Sequence, residues 1–281
     1  MIIGHEKIVA DFKTLASGKT PRLGHGYIFI GSSMLGKRTV AQGFGSFLEG
    51  GIFGSTVGDE VLQDTKIIDV EFMRTINPDT KDSIGIDAVR EIKNFLWQKP
   101  NVSSRRTLII DNAELLTTEA QNALLKITEE PPVSSLLILV TSDIESILPT
   151  IVSRLPKIYF GAVPEAAIAK WSDATVAKRA LGKPGLAWRL ANDEAFQSSL
   201  AIAEAFLKTA PAARRDFIKQ VIEPDDFNLR NFLDAVIITL AWEKPSKAKA
   251  AFWHKTLRLY ENANRFGLNP RLQLEALMQS S

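Results

Sequence analysis

Gly31-Ser32-Ser33-Met34-Leu35-Gly36-Lys37-Arg38-Thr39 lies between the apolar run Tyr27-Ile28-Phe29-Ile30 and the segment Thr39-Val40-Ala41-Gln42. The first flank reads as a buried strand and the second as the opening of a helix. The nine residues between have the spacing G-x-x-x-x-G-K of a phosphate loop. In such a loop the glycines and free amides at the helix N-terminus cradle phosphate oxygens, and the lysine reaches the outer phosphates. Gly31, Gly36 and Lys37 are therefore candidate nucleotide-binding residues. One position breaks the pattern: Arg38 stands where a hydroxyl should hold magnesium. Thr39 is no simple substitute, because one residue along a helix is a rotation of about 100°.

Outward from this loop, residues 1–161 alternate strands with helices, the layout of a parallel α/β sheet covered on both faces. The expected strands are 27–30, 66–70, 107–111, 136–140 and 157–160. The expected helices are 8–15, 86–95 and 118–128, where apolar residues recur every three or four positions. Pro131-Pro132 ends the last of these. Residues 49–62 are glycine-rich and read as a loop, and Ser17 to Pro21 as a polar break. Beyond Phe160 the strand pattern stops. A small helical part, 162–200, is followed by a helical part, 201–281, with breaks at Pro211, Pro224, Pro245 and Pro270.

Leu108-Ile109-Ile110-Asp111 is an apolar strand ending in an acid. Some seventy residues after a phosphate loop, this is the Walker B arrangement in which the aspartate supports magnesium. A hydrolytic site of this type usually continues with a glutamate that positions water. Here Asn112 follows, and an amide cannot act as a carboxylate base. Glu114 reads as a solvated residue of the next turn.

The remaining composition narrows the class. The chain has 281 residues, 45% of them hydrophobic and 23% charged, as in ordinary globular proteins. No apolar run reaches the roughly 20 residues of a membrane span, the N-terminus lacks a signal-peptide layout, and there is no cysteine. The cytoplasm is the expected location. A net charge of +2, from 34 basic and 32 acidic side chains, argues against a protein that grips DNA alone.

Asp111 to Thr117, followed by Asn122-Ala123-Leu124-Leu125-Lys126-Ile127-Thr128-Glu129-Glu130-Pro131-Pro132, resembles the clamp-loader branch of the AAA+ ATPases, and within it the delta-prime type. Gly4-His5-Glu6-Lys7-Ile8 resembles its adenine-side motif, which makes Ile8 a candidate contact. Arg22 to Tyr27 resembles the approach to the phosphate loop, and Ser83 to Arg90 the helix start between the Walker motifs. Thr141, in Thr141-Ser142-Asp143, sits where a sensor 1 residue is expected. Asn269 to Leu277 resembles the last collar helix. Ser153-Arg154-Leu155 matches the family's Ser-Arg-Cys motif with leucine for cysteine, which makes Arg154 an arginine finger for a neighbouring subunit's ATP. A fork of permanent charge suits developing γ-phosphate charge.

The resemblance implies an AAA+ parallel-sheet domain (1–161), a helical lid (162–200) and an all-helical collar (201–281). It also exposes departures from an active motor. Gly185 occupies the sensor 2 position of an arginine, and Arg189, one turn on, reads as a surface residue. With Arg38 and Asn112, three catalytic positions fail together while Arg154 is kept. The implied protein is a non-hydrolysing member of the DNA polymerase III holoenzyme. Its partners would be gamma/tau-type motors, a delta-type subunit, the sliding clamp and, through the assembly, primed DNA. ATP remains a candidate ligand through Gly31, Gly36, Lys37, Thr39, Asp111 and Thr141, with magnesium only alongside ATP. Arg38 could equally block the site with its own charge. The family's four-cysteine zinc module is excluded, since there are no cysteines and the three histidines, 5, 25 and 254, are far apart. The competing readings are an active gamma/tau-type motor and a stand-alone DNA-binding protein. Trp97, Trp188, Trp242, Trp253 and Tyr260 are expected in packed cores. Lys93, Lys99, Arg105 and Arg106 are expected on a solvated face.

Overall fold

The computed structural model describes residues 2–17, 23–54, 62–78, 83–210, 213–222, 227–243, 246–265 and 272–274. Most of the expected breaks, including those at Pro21, Pro211, Pro224, Pro245 and Pro270, lie outside these residues. So do Arg22, half of the 49–62 loop and most of the 269–277 segment. The chain divides into two units, 1–187 and 188–281, each taken by itself.

The first unit is built on five parallel strands: β1 (Gly26–Ile30), β2 (Thr65–Ile68), β3 (Arg106–Ile110), β4 (Ser135–Thr141) and β5 (Lys157–Tyr159). Their order is β2-β3-β4-β1-β5. Successive side chains of a strand point to opposite faces, so each strand feeds two cores. Ile28, Ile30, Leu108, Ile110, Leu137 and Leu139 pack with helices Ile86–Leu96 and Thr118–Glu129. Tyr27, Phe29, Ile109, Ile138 and Val140 pack on the other face with helices Glu6–Ser17 and Lys37–Gly50. Both faces of β1, β3 and β4 are covered, which is why these strands read as continuous apolar runs.

Two expected boundaries move. β2 ends at Ile68, and Val70 opens a helix, Val70–Ile76, that the sequence reading assigned in part to the strand. Asp69 causes the switch by accepting the Phe72 amide at 2.8 Å, a side-chain N-cap. The Lys37–Gly50 helix also runs past Glu49, stopping where Gly51 adopts φ 72° and donates to Phe47. Glu49 thus belongs to the helix and accepts from the amides of Gln63 and Asp64.

Arg105 and Arg106 do not lie on a solvated face. Arg106 is buried at the start of β3, donating to the carbonyls of Lys99 and Gln63 and pairing with the fully buried Asp64 at 3.4 Å. Arg105 donates to the carbonyls of Leu23, Gly24 and Ser135. Both guanidiniums tie together the ends of strands, a use for which five fixed donors suit arginine.

In the second unit, helices Glu194–Lys208 and Leu229–Trp242 bury Phe196, Phe206, Phe232, Leu233 and Val236. Arg189 is not a free surface residue. It meets Asp193 at 3.2 Å, Asp234 at 3.3 Å and Asn231 at 3.1 Å, and its guanidinium lies over the Phe196 ring. Burial pushes the Asp234 carboxyl above the usual range, partly offset by Arg189. The expected aromatic anchors divide. Trp242, Trp253 and Tyr260 are half-buried, whereas Trp97 and Trp188 are 55% and 62% exposed. Each exposed tryptophan comes one residue after a buried one, Leu96 or Ala187, and that single step turns it away from the core.

Candidate functional site

At the carboxyl ends of β1, β3 and β4 the chain leaves the sheet in three loops, where ligands of open parallel sheets bind. They enclose an open cleft of about 240 Å³ lined by Gly36, Lys37, Arg38, Thr39, Asp111, Asn112, Glu114, Thr141, Ser142 and Gly185, among others. Of the residues expected to share a site, Gly36, Lys37, Thr39, Asp111 and Thr141 are thus brought together, whereas Gly31 does not line the cleft. Thr39 lines the cleft despite its one-residue offset. Ile8 does not line it; it packs against the Phe12–Phe44 core. The neighbouring His5 meets the loop instead, its Nε2 2.9 Å from the Leu35 carbonyl oxygen.

The loop keeps the backbone of a phosphate cradle. Gly36 is left-handed at φ 87° and caps the Lys37–Gly50 helix, and Met34 is left-handed at φ 65°. Lys37 is only 7% exposed, and its ammonium donates to the carbonyls of Gly31 and Ser32 at 2.6 and 2.8 Å. Burial lowers its pKa; the carboxylates of Glu114 and Asp111 oppose this, and Lys183 reinforces it.

Arg38 meets the acid at the end of β3. Its Nη1 donates to Asp69 at 2.8 Å and to Asp111 at 3.2 Å. The aspartate expected to support magnesium is therefore bound to a guanidinium of the same chain. Burial pushes the Asp111 carboxyl above the usual range, and Arg38 is the main influence pulling it back. Asp69 was not among the sequence candidates. Its cap role was signalled by the acid preceding a helical apolar pattern, but its meeting with Arg38, 31 residues away, was not.

The other positions singled out in the sequence, Asn112, Glu114, Thr141 and Gly185, line the same cleft. Asn112 lines the cleft in a left-handed conformation, φ 53°. Glu114 is not a solvated turn residue: it is half-buried, and its carboxylate accepts from the Ser142 hydroxyl at 2.5 Å. The Thr141 hydroxyl, expected as a sensor, donates to the Asp143 carbonyl at 2.8 Å. Ser142 is thus the hydroxyl that meets a cleft carboxylate. Gly185 donates its amide to the Met34 carbonyl at 2.9 Å, and a Cβ there would sit 3.0 Å from that same oxygen. Any side chain at position 185 would press on the Met34 backbone, which would have to give by a few tenths of an ångström.

Arg154 lies elsewhere. It lines a second cleft with Gly24, His25, Gly26, Glu129 and Ser135, where β1 and β4 begin. Five residues of β1, about 16 Å of strand, separate that end from the phosphate loop. Its guanidinium donates to Thr150 O and to Glu129, both at 2.7 Å. Leu155, in place of the motif's cysteine, is buried in the first core. No group of His, Cys, Asp and Glu suited to a metal ion occurs among the described residues, and no described helix is long and apolar enough to cross a membrane.

A family profile described as "DNA polymerase III, delta subunit" matches residues 4–164, more than half of the chain. The tau/gamma subunit of DNA polymerase III from Haemophilus influenzae is 30% identical over 173 residues, 60% of this chain and 24% of that protein. The delta' subunit from Escherichia coli K12 is 31% identical over 142 residues, 47% of this chain and 42% of that protein. The chain thus spans less than half the length of either relative. A gamma-subunit-related protein of Thermotoga maritima has the same fold, with a TM-score of 0.63 at 20% identity, covering 96% of this chain and 97% of that one.

Proposed function

The chain belongs to the DNA polymerase III delta-subunit family, and we propose that within it this chain is a delta-prime-like clamp-loader subunit that hydrolyses no ATP itself. The carrying observation is Arg38 bound to Asp111 and Asp69. Magnesium at a phosphoryl-transfer site takes near-octahedral oxygen ligands at about 2.0–2.1 Å. To reach Asp111 it would have to displace a cation already hydrogen-bonded there. Asn112 and Gly185 support the same reading, since one offers no base and the other no γ-phosphate contact.

Arg154 acts, on this reading, for a neighbour. Its distance from the chain's own loop supports a role in trans, at the ATP site of a gamma/tau-type motor. Residues 162–200 would form the lid and 201–281 the collar through which the subunit joins motors and a delta-type subunit. The assembly, in the cytoplasm, would load the sliding clamp onto primed DNA within the polymerase III holoenzyme.

The similarity to tau/gamma subunits keeps one rival in view, an active motor. The purified chain separates the two. We expect no ATP turnover above the buffer background with excess Mg2+, and no change on Lys37→Ala. Substantial turnover that Lys37→Ala abolishes would establish the motor instead.

A further inference from the structure

The cleft holds donors that lack acceptors. Among the described residues, no backbone N–H from Gly36 to Thr39 meets an acceptor, whereas those of Gly31 and Val40 do. Lys37, more than nine-tenths buried, has only neutral carbonyl acceptors and no carboxylate within 4 Å among the described residues. Above Gly36 the space is open, with nothing within 4 Å of where a Cβ would stand. Arg38 uses only Nη1 on the two aspartates; its Nε and Nη2 meet no acceptor among the described residues, and the side chain lines the cleft at 43% exposure.

A run of free amides with a buried ammonium is an anion cradle. What a phosphate chain ordinarily adds is a cation to bridge its oxygens to the acidic strand end. Here a guanidinium already sits on that acid, and its remaining N–H groups form a planar fork that matches phosphate oxygens. We propose that this cleft binds the phosphate chain of a nucleoside di- or triphosphate without magnesium, Arg38 standing in the metal's place. The inference rests on the reading that Arg38 keeps metal off Asp111. It goes further by making the altered site a binding site and not a blocked one.

The test is titration calorimetry of the purified chain with ADP and with ATP, in EDTA and again in excess Mg2+. Wild type should bind as tightly in EDTA as in Mg2+, within about threefold. Arg38→Ala should weaken binding in EDTA by roughly tenfold or more, and Arg38→Lys, with the charge but no fork, should fall between. Arg38→Thr, which restores a hydroxyl, should bind tenfold or more tightly with Mg2+ than without. Mn2+ with ATP should give an enzyme-bound paramagnetic resonance signal for Arg38→Thr and none for wild type. Thermal melts confirm that each variant is folded; should Arg38→Ala not be, Arg38→Lys and the wild-type comparison stand alone. No binding by wild type at millimolar nucleotide in EDTA, or binding that requires Mg2+, overturns the inference. ATP turnover in the same samples is a separate readout: turnover overturns the non-hydrolysing reading, whereas absent binding without turnover overturns only this one.

Discussion

Arg154→Ala, assembled with gamma/tau-type motor subunits, should lower ATP turnover at the adjoining motor site on the order of 10³-fold, the scale of a lost arginine finger. Clamp loading should fall with it. The guanidinium is available for this role because its present partners hold it loosely. It is 36% exposed and pairs with Glu129, itself 48% exposed. Exposed pairs of this kind contribute about 0.2–1 kcal/mol. On the proposed role, a phosphate gathering negative charge in a closed interface would compete with that carboxylate easily, so Glu129 would hold the finger between turnovers without withholding it. The weakness of the pair also makes the experiment clean, since Arg154→Ala should lower the subunit's own stability by less than about 1 kcal/mol. A drop in turnover with an unchanged melting temperature then reports on the neighbour's site. Arg154→Lys should recover only part of the activity, because it keeps the charge and loses the planar fork. Full turnover and full clamp loading by the alanine variant would remove the finger from the account.

The sequence reading found what depends on local pattern and missed what depends on long-range pairing. β1, β3 and β4 were placed within one residue because strands buried on both faces leave continuous apolar runs, and the edge strands β2 and β5 were placed within two. A helix that was missed, Val70–Ile76, begins with a β-branched residue soon after a strand, and the Asp69 side chain marks the change. Arg105 and Arg106 were misplaced for an opposite reason. Adjacent arginines at the head of a strand look solvent-facing until the carbonyls of Leu23, Gly24, Gln63 and Lys99 converge on them. At the cleft, the departure at Arg38 was visible as a missing hydroxyl. What it does instead required two acids, 31 and 73 residues away, to arrive at one nitrogen. Residue type marked the departure from the motif; only the fold shows which acids Arg38 meets.

The same long-range logic sets the largest stability effect, at Asp64. This carboxylate is fully buried and accepts from the amides of Asn101, Val102 and Ser103 at 2.7 to 2.8 Å while pairing with Arg106. It thereby fastens the loop that leads into β3. Asp64→Ala removes the acceptor of three amides and leaves a buried guanidinium without its counter-charge, which should lower stability by about 3–5 kcal/mol. That is a large part of the 5–15 kcal/mol typical of a whole domain. Adding Arg106→Met to Asp64→Ala should recover part of the loss, because the unpaired charge goes too. The pH dependence follows from a contest at the carboxyl. Burial pushes its pKa up, but the hydrogen bonds from Asn101, Ser103 and Val102 outweigh that and hold it below the usual range. A carboxylate depressed in the folded state stabilises fully above its unfolded pKa, about 3.9, and loses that contribution as pH falls through the folded value. Denaturant unfolding should therefore show a wide gap between wild type and Asp64→Ala at pH 7 that narrows below about pH 4. A gap under 1 kcal/mol at neutral pH, or one that widens in acid, would mean that the loop is held by something other than this carboxylate.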